Sequence, residues 1–238
     1  MRPKSVITVV RKMAPALWNA YREDNLFCFN NHDFMKDPSF RKAYERGCRA
    51  AFDYKWHWRV HVGLWAGFTA SKLAGDFVEC GVAGGFMSSA IMEFLDWDSL
   101  NKTFYLLDTF AGADPRYVSQ DDAFALAWKE REYFESAKAN FSQWKNIQII
   151  KGSVPETLNE VDTQSVAYLH LDMNCSPPEI AAINFFWDRL VPGAIVLLDD
   201  YAYRGYESQK RAMDAFGKEK QGDDRLTSNR AGASLENA

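Results

Sequence analysis

Four short apolar runs, each closed by glycine or by an acidic residue, constrain the fold of this chain more than any other feature. The runs lie at residues 76–85, 105–108, 169–172 and 195–200. Parallel strands that are buried on both faces read as continuous apolar runs, and an open α/β sheet binds ligands just beyond the carboxyl ends of its strands. The runs therefore predict a doubly wound, mostly parallel sheet with its ligand site at the glycine and carboxylate corners.

The composition fits one sizeable α/β domain with an extension before it. The chain has 238 residues, 47% of them hydrophobic, and a net charge of -4 without a block rich in lysine and arginine, which argues against a nucleic-acid partner. Its four cysteines form no Cys-x-x-Cys pair, which is typical of free thiols in a reducing compartment. No apolar run approaches ~18 residues, so we expect a cytoplasmic protein without a membrane partner.

The sequence pattern divides the chain into three parts. Residues 1–75 are expected to form a helical extension or lid, residues 76–217 the core, and residues 218–238 a disordered tail with almost no apolar content. Within the extension, a long helix is predicted at 53–73. The apolar residues that recur along it predict one buried face, formed by Trp58, Val62, Trp65, Thr69 and Leu73.

Inside the core, predicted strands and helices alternate along the chain. Strands are predicted at 76–81, 103–108, 147–151, 165–172 and from 195 onward. The later helices are predicted at roughly 120–144, from 177 to near 190, and from 208 to about 216. This alternation predicts a parallel sheet with helices on both faces.

Glycines mark the corner where the first core strand meets a helix. Gly81, Gly84 and Gly85 would allow a nucleotide-type ligand to approach the backbone at a helix N-terminus, or would merely permit a tight turn. A Gly-x-Gly-x-x-Gly pattern starting at Gly81 is broken by Ala83 and Phe86, which counts against a dinucleotide-dependent oxidoreductase.

Two carboxylates belong to the same predicted corner. Asp108 ends the second core strand, where it could accept both hydroxyls of a ribose or could be an exposed turn or capping residue. Glu79 lies inside a buried strand and needs partners. Polar groups of a ligand or neighbouring backbone amides could supply them.

Three aspartates, Asp172, Asp199 and Asp200, close two strands that we expect to be neighbours. Carboxylates crowded together repel one another unless a cation intervenes, and oxygen ligands favour magnesium. The alternative is a purely hydrogen-bonded cluster. Because adjacent side chains of a strand point to opposite faces, the backbone must bend near Asp199, or Asp200 has another role.

Asn174 and His170 lie close to this cluster in sequence. Asn174 could hold a substrate hydroxyl or complete a metal shell, and His170 could be a base or a core residue. His57 and His61 have helical i, i+4 spacing. We interpret that second pair as the edge of the buried tryptophan face rather than as zinc ligands.

Five blocks in order resemble the macrocin O-methyltransferase family, a branch of the class I S-adenosylmethionine-dependent methyltransferases. The blocks are Gly-Asp-Phe-Val-Glu-Cys-Gly-Val (75–82), Leu-Leu-Asp-Thr-Phe (106–110), Ile-Lys-Gly-Ser (150–153) with Glu156-Thr157-Leu158, Leu-Asp-Met-Asn (171–174) and Leu-Leu-Asp-Asp-Tyr (197–201). The resemblance covers about residues 34–217 and implies a Rossmann-like methyltransferase sheet.

The resemblance also implies a cofactor, a metal and a substrate class. S-adenosylmethionine would be held by the first-strand glycines, with Asp108 on its ribose and Gly152 and Ser153 beside its adenine. The implied cofactor set is Glu79, Gly81, Gly85, Asp108, Thr109, Gly152 and Ser153. Magnesium would bind Asp172, Asp199 and Asp200, and the methyl acceptor would be a sugar-type hydroxyl.

The chain departs from the family pattern in two places. Family members commonly carry an aspartate, assigned as general base, where this chain has Asn174, so His170 or a metal-bound hydroxide are the remaining candidates for that role. The fold also normally ends with an antiparallel hairpin of two strands. Nothing after Gly217 is predicted to supply it, which would leave the last predicted strand at the edge of the sheet.

These observations predict an S-adenosylmethionine-dependent, magnesium-assisted O-methyltransferase acting on a sugar or a glycosylated small molecule. Asp172, Asn174 and His170 are its candidate catalytic residues. Tyr201, Tyr203 and Phe110 could line the acceptor site or simply pack. The alternatives are a non-catalytic S-adenosylmethionine-binding or scaffold protein and, third, nucleotide-sugar or NAD chemistry. The N-terminal helices are expected to form a lid or a homo-oligomer surface.

Overall fold

The computed structural model describes residues 20–119, 121–122, 132–201, 203–221 and 233–235. Its strands are β1 (Tyr21–Glu23), β2 (Leu26–Cys28), β3 (Asp76–Cys80), β4 (Phe104–Asp108), β5 (Ile147–Lys151), β6 (Val166–Leu171), β7 (Leu190–Leu198) and β8 (Ala233–Leu235). Its α-helices are α1 (Pro38–Ala50), α2 (His57–Ser71), α3 (Phe86–Leu95), α4 (Phe134–Phe141), α5 (Ser176–Trp187) and α6 (Glu207–Gln221). Short 3₁₀ helices lie at Asp33–Lys36, Trp97–Ser99 and Leu158–Glu160.

The core is a parallel sheet in the order β5-β4-β3-β6-β7-β8. The central strand pairs on both sides, since Val78 of β3 is in register with Tyr105 of β4 and with Leu169 of β6. Every residue of β6 is buried, as its continuous apolar run predicts. The order reverses between β3 and β6, which creates a crevice at the carboxyl ends of the strands. The predicted doubly wound fold is confirmed.

Two apolar layers enclose the sheet. Helices α1, α2, α3 and α4 cover one face, and α5 and α6 cover the other. Within the described residues, no helix combines the length and the apolar character that crossing a bilayer requires.

The buried face of α2 differs from the predicted one. Trp65 and Phe68 are 46% and 48% exposed, whereas Val60, Leu64 and Ala70 are buried. The prediction was wrong because it weighted the large aromatic residues over the small ones.

Small residues decide which side of α2 faces the protein. A Cβ atom at Gly67 would lie 2.8 Å from Ile91 Cγ2 of α3, and one at Gly63 would collide with the sulfur of Met87. The two helices can therefore approach closely only along this glycine side. The two histidines of the i, i+4 pair stack instead on aromatic rings, with centroids 3.9 Å apart for His57 and Tyr44 and 4.1 Å apart for His61 and Phe34.

The ends of the chain also correct the prediction. The N-terminal extension contains the β1–β2 hairpin and is not helical throughout. Helix α6 runs beyond the predicted end near Phe216, and β8 pairs in parallel with β7, so β7 is not an edge. A three-residue strand held by backbone bonds leaves too little pattern to read from sequence. The other predicted tail residues (222–232 and 236–238) lie outside the described residues, as do residues 120 and 123–131 of the predicted 120–144 helix. The described part of that prediction contains α4 (Phe134–Phe141).

Candidate active site

A cavity of about 540 Å³ lies at the carboxyl ends of the core strands, a size that suits a small-molecule ligand. The predicted site residues that line it are Glu79, Gly81, Asp108, Thr109, Gly152, Ser153, His170, Asp172, Asn174, Asp199 and Asp200. The structure thus brings together residues that are far apart in the sequence. Gly85 is the predicted site residue that is not among the lining.

Packing explains the glycines of the β3–α3 corner. Gly81 has φ +97°, and a Cβ atom there would collide with the backbone carbonyl of Asp172 at the end of β6. Gly85 has φ +88° and precedes α3, where a Cβ atom would collide with Phe141. Gly81 therefore allows β3 and β6 to end side by side at the cavity. Its contact with a cofactor stays a prediction.

Asp108 binds the loop between β3 and α3 directly. Its Oδ2 accepts hydrogen bonds from the backbone amides of Val82 and Ala83, at 2.5 and 2.7 Å, and its Oδ1 accepts one from Phe110 at 2.6 Å. The neighbouring Thr109 hydroxyl donates to the carbonyl of Gly112 at 2.6 Å. The carboxylate therefore fixes the position of two segments that line the cavity.

Gly152 and Ser153 join the same rim from the end of β5. The amide of Gly152 donates to the carbonyl of Asp108 at 2.9 Å, and the hydroxyl of Ser153 donates to Asp114 Oδ2 at 2.5 Å. One rim of the cavity is thus built from the ends of β3, β4 and β5.

Glu79 and His170 form a buried pair on neighbouring strands. His170 Nδ1 lies 3.0 Å from Glu79 Oε1, and both side chains are almost fully buried. Burial alone would lower the pKa of His170, but the neighbouring carboxylates of Asp199 and Glu79 outweigh it and raise the pKa to about 10. His170 is therefore the partner that a buried Glu79 requires.

The backbone bends where the prediction required it. Strand β7 ends at Leu198, so Asp199 and Asp200 lie beyond the pleated strand, and both side chains face the same guanidinium group. Burial and the charges of Asp199 and Asp200 raise the pKa of Asp172 well above its usual range. Burial and Asp199 likewise raise the pKa of Asp200 to about 7. The aspartates converge as predicted, and they repel one another.

The guanidinium group belongs to Arg59 of α2, which the sequence analysis missed. Arg59 is only 7% exposed and donates to both oxygens of Asp24, from Nε at 2.9 Å and from Nη2 at 3.2 Å. Its Nη1 donates to Asp199 and lies 3.6 Å from Asp200 Oδ1. A lone arginine within an apolar helix was the available signal, because a buried charge needs partners.

Asp24 reaches the cavity from the tip of the β1–β2 hairpin. Asp24 and Asn25 both have positive φ, at 51° and 57°, which a tight two-residue hairpin turn requires. Asn25 donates to the hydroxyl of Tyr203, and His57 Nδ1 lies 2.6 Å from Glu23 Oε2. The hairpin tip therefore forms a wall of the cavity.

The remaining predicted residues take different places. Asn174 lines the cavity, with its Nδ2 3.5 Å from Asp172 Oδ1. Tyr203 also lines it. Phe110 is 1% exposed and packs on Phe134, so it belongs to the core. Tyr201 donates to Asp214, and it is not among the lining residues.

The donor atoms at the inner end of the cavity fit a divalent cation. His170 Nε2 and carboxylate oxygens of Asp172 and Asp199 lie within 4.8 Å of one another. Among the described residues, the buried His170 Nε2 makes no hydrogen bond and lies 3.7 Å from Asp199 Oδ1, so it can become a ligand when it loses its proton. Carboxylate oxygens suit magnesium, and the imidazole nitrogen broadens the choice toward transition metals. Asp200 is not a member of this group.

Glu179 is a further buried acid beside the cavity. Its Oε1 accepts hydrogen bonds from the amide of Met173 at 3.2 Å and from Gln209 Nε2 at 2.5 Å. Burial raises the pKa of Glu179 to about 8 despite these bonds.

This shift makes stability depend on pH. The protonated carboxyl is favoured in the folded state, so its stabilising contribution is complete below the ordinary pKa of 4.5 and is lost as the pH rises to about 8. Between these values, the free energy of unfolding should fall by up to about 1.4 kcal/mol per pH unit from this group. Glu179→Gln should remove that pH dependence. The free energy of unfolding of the variant, measured by urea titration, should therefore exceed that of the natural protein by an amount that grows up to pH 8. The exposed Glu135→Gln is the control, and an advantage that stays constant with pH would contradict the prediction.

Comparisons with known proteins agree with the fold. The family model described as macrocin O-methyltransferase (TylF) matches residues 65–229. The solved structure of the O-methyltransferase NovP has a TM-score of 0.58 and 20% identity, covering 70% of this chain and 73% of that chain. The calicheamicin methyltransferase CalS11 has a TM-score of 0.51 and 14% identity, covering 82% and 88%.

A third structure is the S-adenosylhomocysteine-bound methyltransferase PaMTH1 of Podospora anserina, with a TM-score of 0.50 and 16% identity, covering 94% of this chain and 91% of that chain. At these identities, the structural likeness concerns the fold. A search of curated proteins finds no significant match.

Proposed function

We propose that this chain, which belongs to the macrocin O-methyltransferase family, transfers a methyl group to a sugar hydroxyl with the help of a bound metal ion. Membership makes it an S-adenosylmethionine-dependent O-methyltransferase. The finer proposal rests on one observation above all, which is the convergence of strand-end carboxylates on a single cavity. Asp108 at one end binds the glycine corner, and Asp172 and Asp199 meet at the other.

The rim formed by β3, β4 and β5 would hold the cofactor. Asp108 keeps the Val82–Ala83 backbone in place and can accept from ribose hydroxyls, while Gly81 leaves the backbone accessible. Thr109, Gly152 and Ser153 would complete the site. Glu79 acts through His170 in this proposal, because its carboxylate is bonded to that ring. Hydrogen bonds within the protein hold the residues of this rim in place.

The aspartate cluster would hold the metal and the acceptor. A magnesium ion bound there would lower the pKa of the acceptor hydroxyl. Asp172 and Asp199 are the proposed ligands, with Asp200 and His170 Nε2 adjacent. The side chain of Asn174 lies beside Asp172 and can hold a hydroxyl, but an amide cannot accept its proton. The chain's own contribution is to align the acceptor oxygen with the methyl group, a positioning effect that can supply ~7–11 kcal/mol.

Aromatic side chains support a sugar-containing acceptor. Phe52, Tyr54 and Trp56 line the cavity, and the last two rings stack with centroids 3.9 Å apart and planes 8° apart. Such rings offer a flat apolar surface on which the C–H face of a sugar can pack, while the sugar hydroxyls can donate hydrogen bonds to the aspartates of the cavity. A cytoplasmic location and a homo-oligomer formed through the N-terminal helices stay predictions.

Calorimetry followed by a transfer assay tests this function. The protein should bind S-adenosylhomocysteine, and it should transfer a methyl group from S-adenosylmethionine to members of a panel of hydroxylated glycosides only when magnesium is present. Cofactor binding without turnover on any acceptor would favour the scaffold alternative. Binding of NAD together with failure to bind S-adenosylhomocysteine would overturn the proposal.

A further inference from the structure

We propose that Arg59 is a resident cation that competes with a divalent metal ion for Asp199 and Asp200, and so sets the metal affinity of the aspartate cluster. The inference rests on the proposed function, in which this cluster binds a metal. It adds a residue that lies before the stretch matched by the family model, which begins at residue 65.

The geometry places the guanidinium group on Asp199, one of the two proposed ligands, and beside Asp200. Nη1 of Arg59 donates to Oδ2 of Asp199 and lies 3.6 Å from Oδ1 of Asp200. The second oxygen of Asp199 faces His170 Nε2 at 3.7 Å. Both oxygens of Asp199 are therefore already next to nitrogen atoms of other side chains. A metal ion that uses Asp199 must share it with Arg59 or displace the guanidinium.

Arg59 is held in this position from several sides. Its Nε and Nη2 bind both oxygens of Asp24 in the fork geometry that suits a carboxylate. The guanidinium carbon lies 4.9 Å from the centre of the Trp56 ring and 5.5 Å from that of the Tyr203 ring. An arginine keeps its charge at every physiological pH. The competition can therefore be relieved by movement of the side chain but not by its deprotonation.

The charge balance shows why a metal can still bind. Five carboxylates, Asp24, Glu79, Asp172, Asp199 and Asp200, lie around two basic side chains, Arg59 and His170. The excess of acidic groups attracts a further cation. A positive charge a few ångströms away in a partly buried site opposes that attraction strongly. Removing the charge of Arg59 should therefore tighten metal binding.

Manganese(II) titration of the free protein tests the proposal without any activity measurement. Arg59→Gln should bind Mn²⁺ at least about tenfold more tightly than the natural protein, measured by calorimetry and by the loss of the free-ion electron paramagnetic resonance signal. Arg59→Lys keeps the charge and should stay within about threefold of the natural protein. Arg211→Gln removes an exposed arginine that pairs with Asp121 outside the cluster, and it should change nothing.

The direction of the effect separates competition from damage. A merely structural role predicts weaker metal binding in Arg59→Gln, so tighter binding cannot come from a loosened fold. Unchanged or weaker binding in a variant that unfolds at a normal temperature would overturn the proposal, as would equal tightening in Arg59→Lys or no Mn²⁺ binding by any variant at millimolar concentration. If Arg59→Gln does not fold, Arg59→Met is the substitute, because it keeps a long apolar side chain without the charge, and it should likewise tighten Mn²⁺ binding. Binding of S-adenosylhomocysteine, measured in parallel, reports separately on the proposed function.

Discussion

Asp199→Asn should reduce magnesium-dependent methyl transfer by at least about a hundredfold while leaving the affinity for S-adenosylhomocysteine within a few-fold. Asp199 belongs to the cation-binding group with His170 and Asp172, and it also accepts from Arg59. An asparagine keeps the shape but loses the charge that both a metal ion and the guanidinium require. The cofactor rim is built from other strands, so cofactor binding should persist.

A matched aspartate provides the control for this variant. Asp214→Asn changes an aspartate that binds Tyr201 and Lys210 and does not line the cavity, and it should keep turnover within about twofold. Thermal unfolding of both variants is measured alongside, because removing one partner of a buried ion pair costs ~3–5 kcal/mol. Unchanged turnover in a folded Asp199→Asn protein would remove the metal from the mechanism.

Asp108→Ala should weaken the binding of S-adenosylhomocysteine by at least about a hundredfold, the loss expected when a binding site loses a charged hydrogen-bond acceptor together with the contacts that hold its loop in place. The substitution removes the acceptor for the amides of Val82, Ala83 and Phe110 at once. The loop between β3 and α3 then loses the bonds that hold it at the cavity, and a ribose loses its proposed acceptor. Isothermal calorimetry measures the change directly.

Asp162→Ala is the control for the second variant. Asp162 accepts a hydrogen bond from the hydroxyl of Tyr105, a residue of the same strand that ends in Asp108, and it does not line the cavity. Its substitution should leave cofactor affinity unchanged within about twofold. If Asp108→Ala binds S-adenosylhomocysteine as tightly as the natural protein does, the cofactor does not lie on this rim.

The parts of the site that the sequence predicted are those that end parallel strands. Asp108, Asp172 and Asp199 follow apolar runs, and strands buried on both faces are recognisable locally. Because parallel strands end at one edge of a sheet, the meeting of these carboxylates could be predicted without knowing any contact.

The parts that were missed depend on contacts between distant segments. Arg59 and Asp24 come from the extension, where no periodicity shows that a hairpin tip meets a helix. The buried face of α2 was wrong because Gly63 and Gly67, rather than tryptophan, let that helix approach α3. Strand β8 is three residues long, and pairing of its backbone with β7 depends on the sheet already being formed.

Two separate parts of the sequence line the cavity, and one of them includes the hairpin tip at Asp24. The half of the cavity that would hold the methyl donor is encoded within the stretch shared with the family, whereas Asp24 and Arg59 are encoded ahead of it. Under the proposed function, substitutions of cavity-lining residues in the leading segment should change which acceptor is admitted while the residues of the donor half stay the same. Exchanging the cavity-lining residues Phe52, Tyr54 and Trp56 for those of relatives is a direct test of altered selectivity.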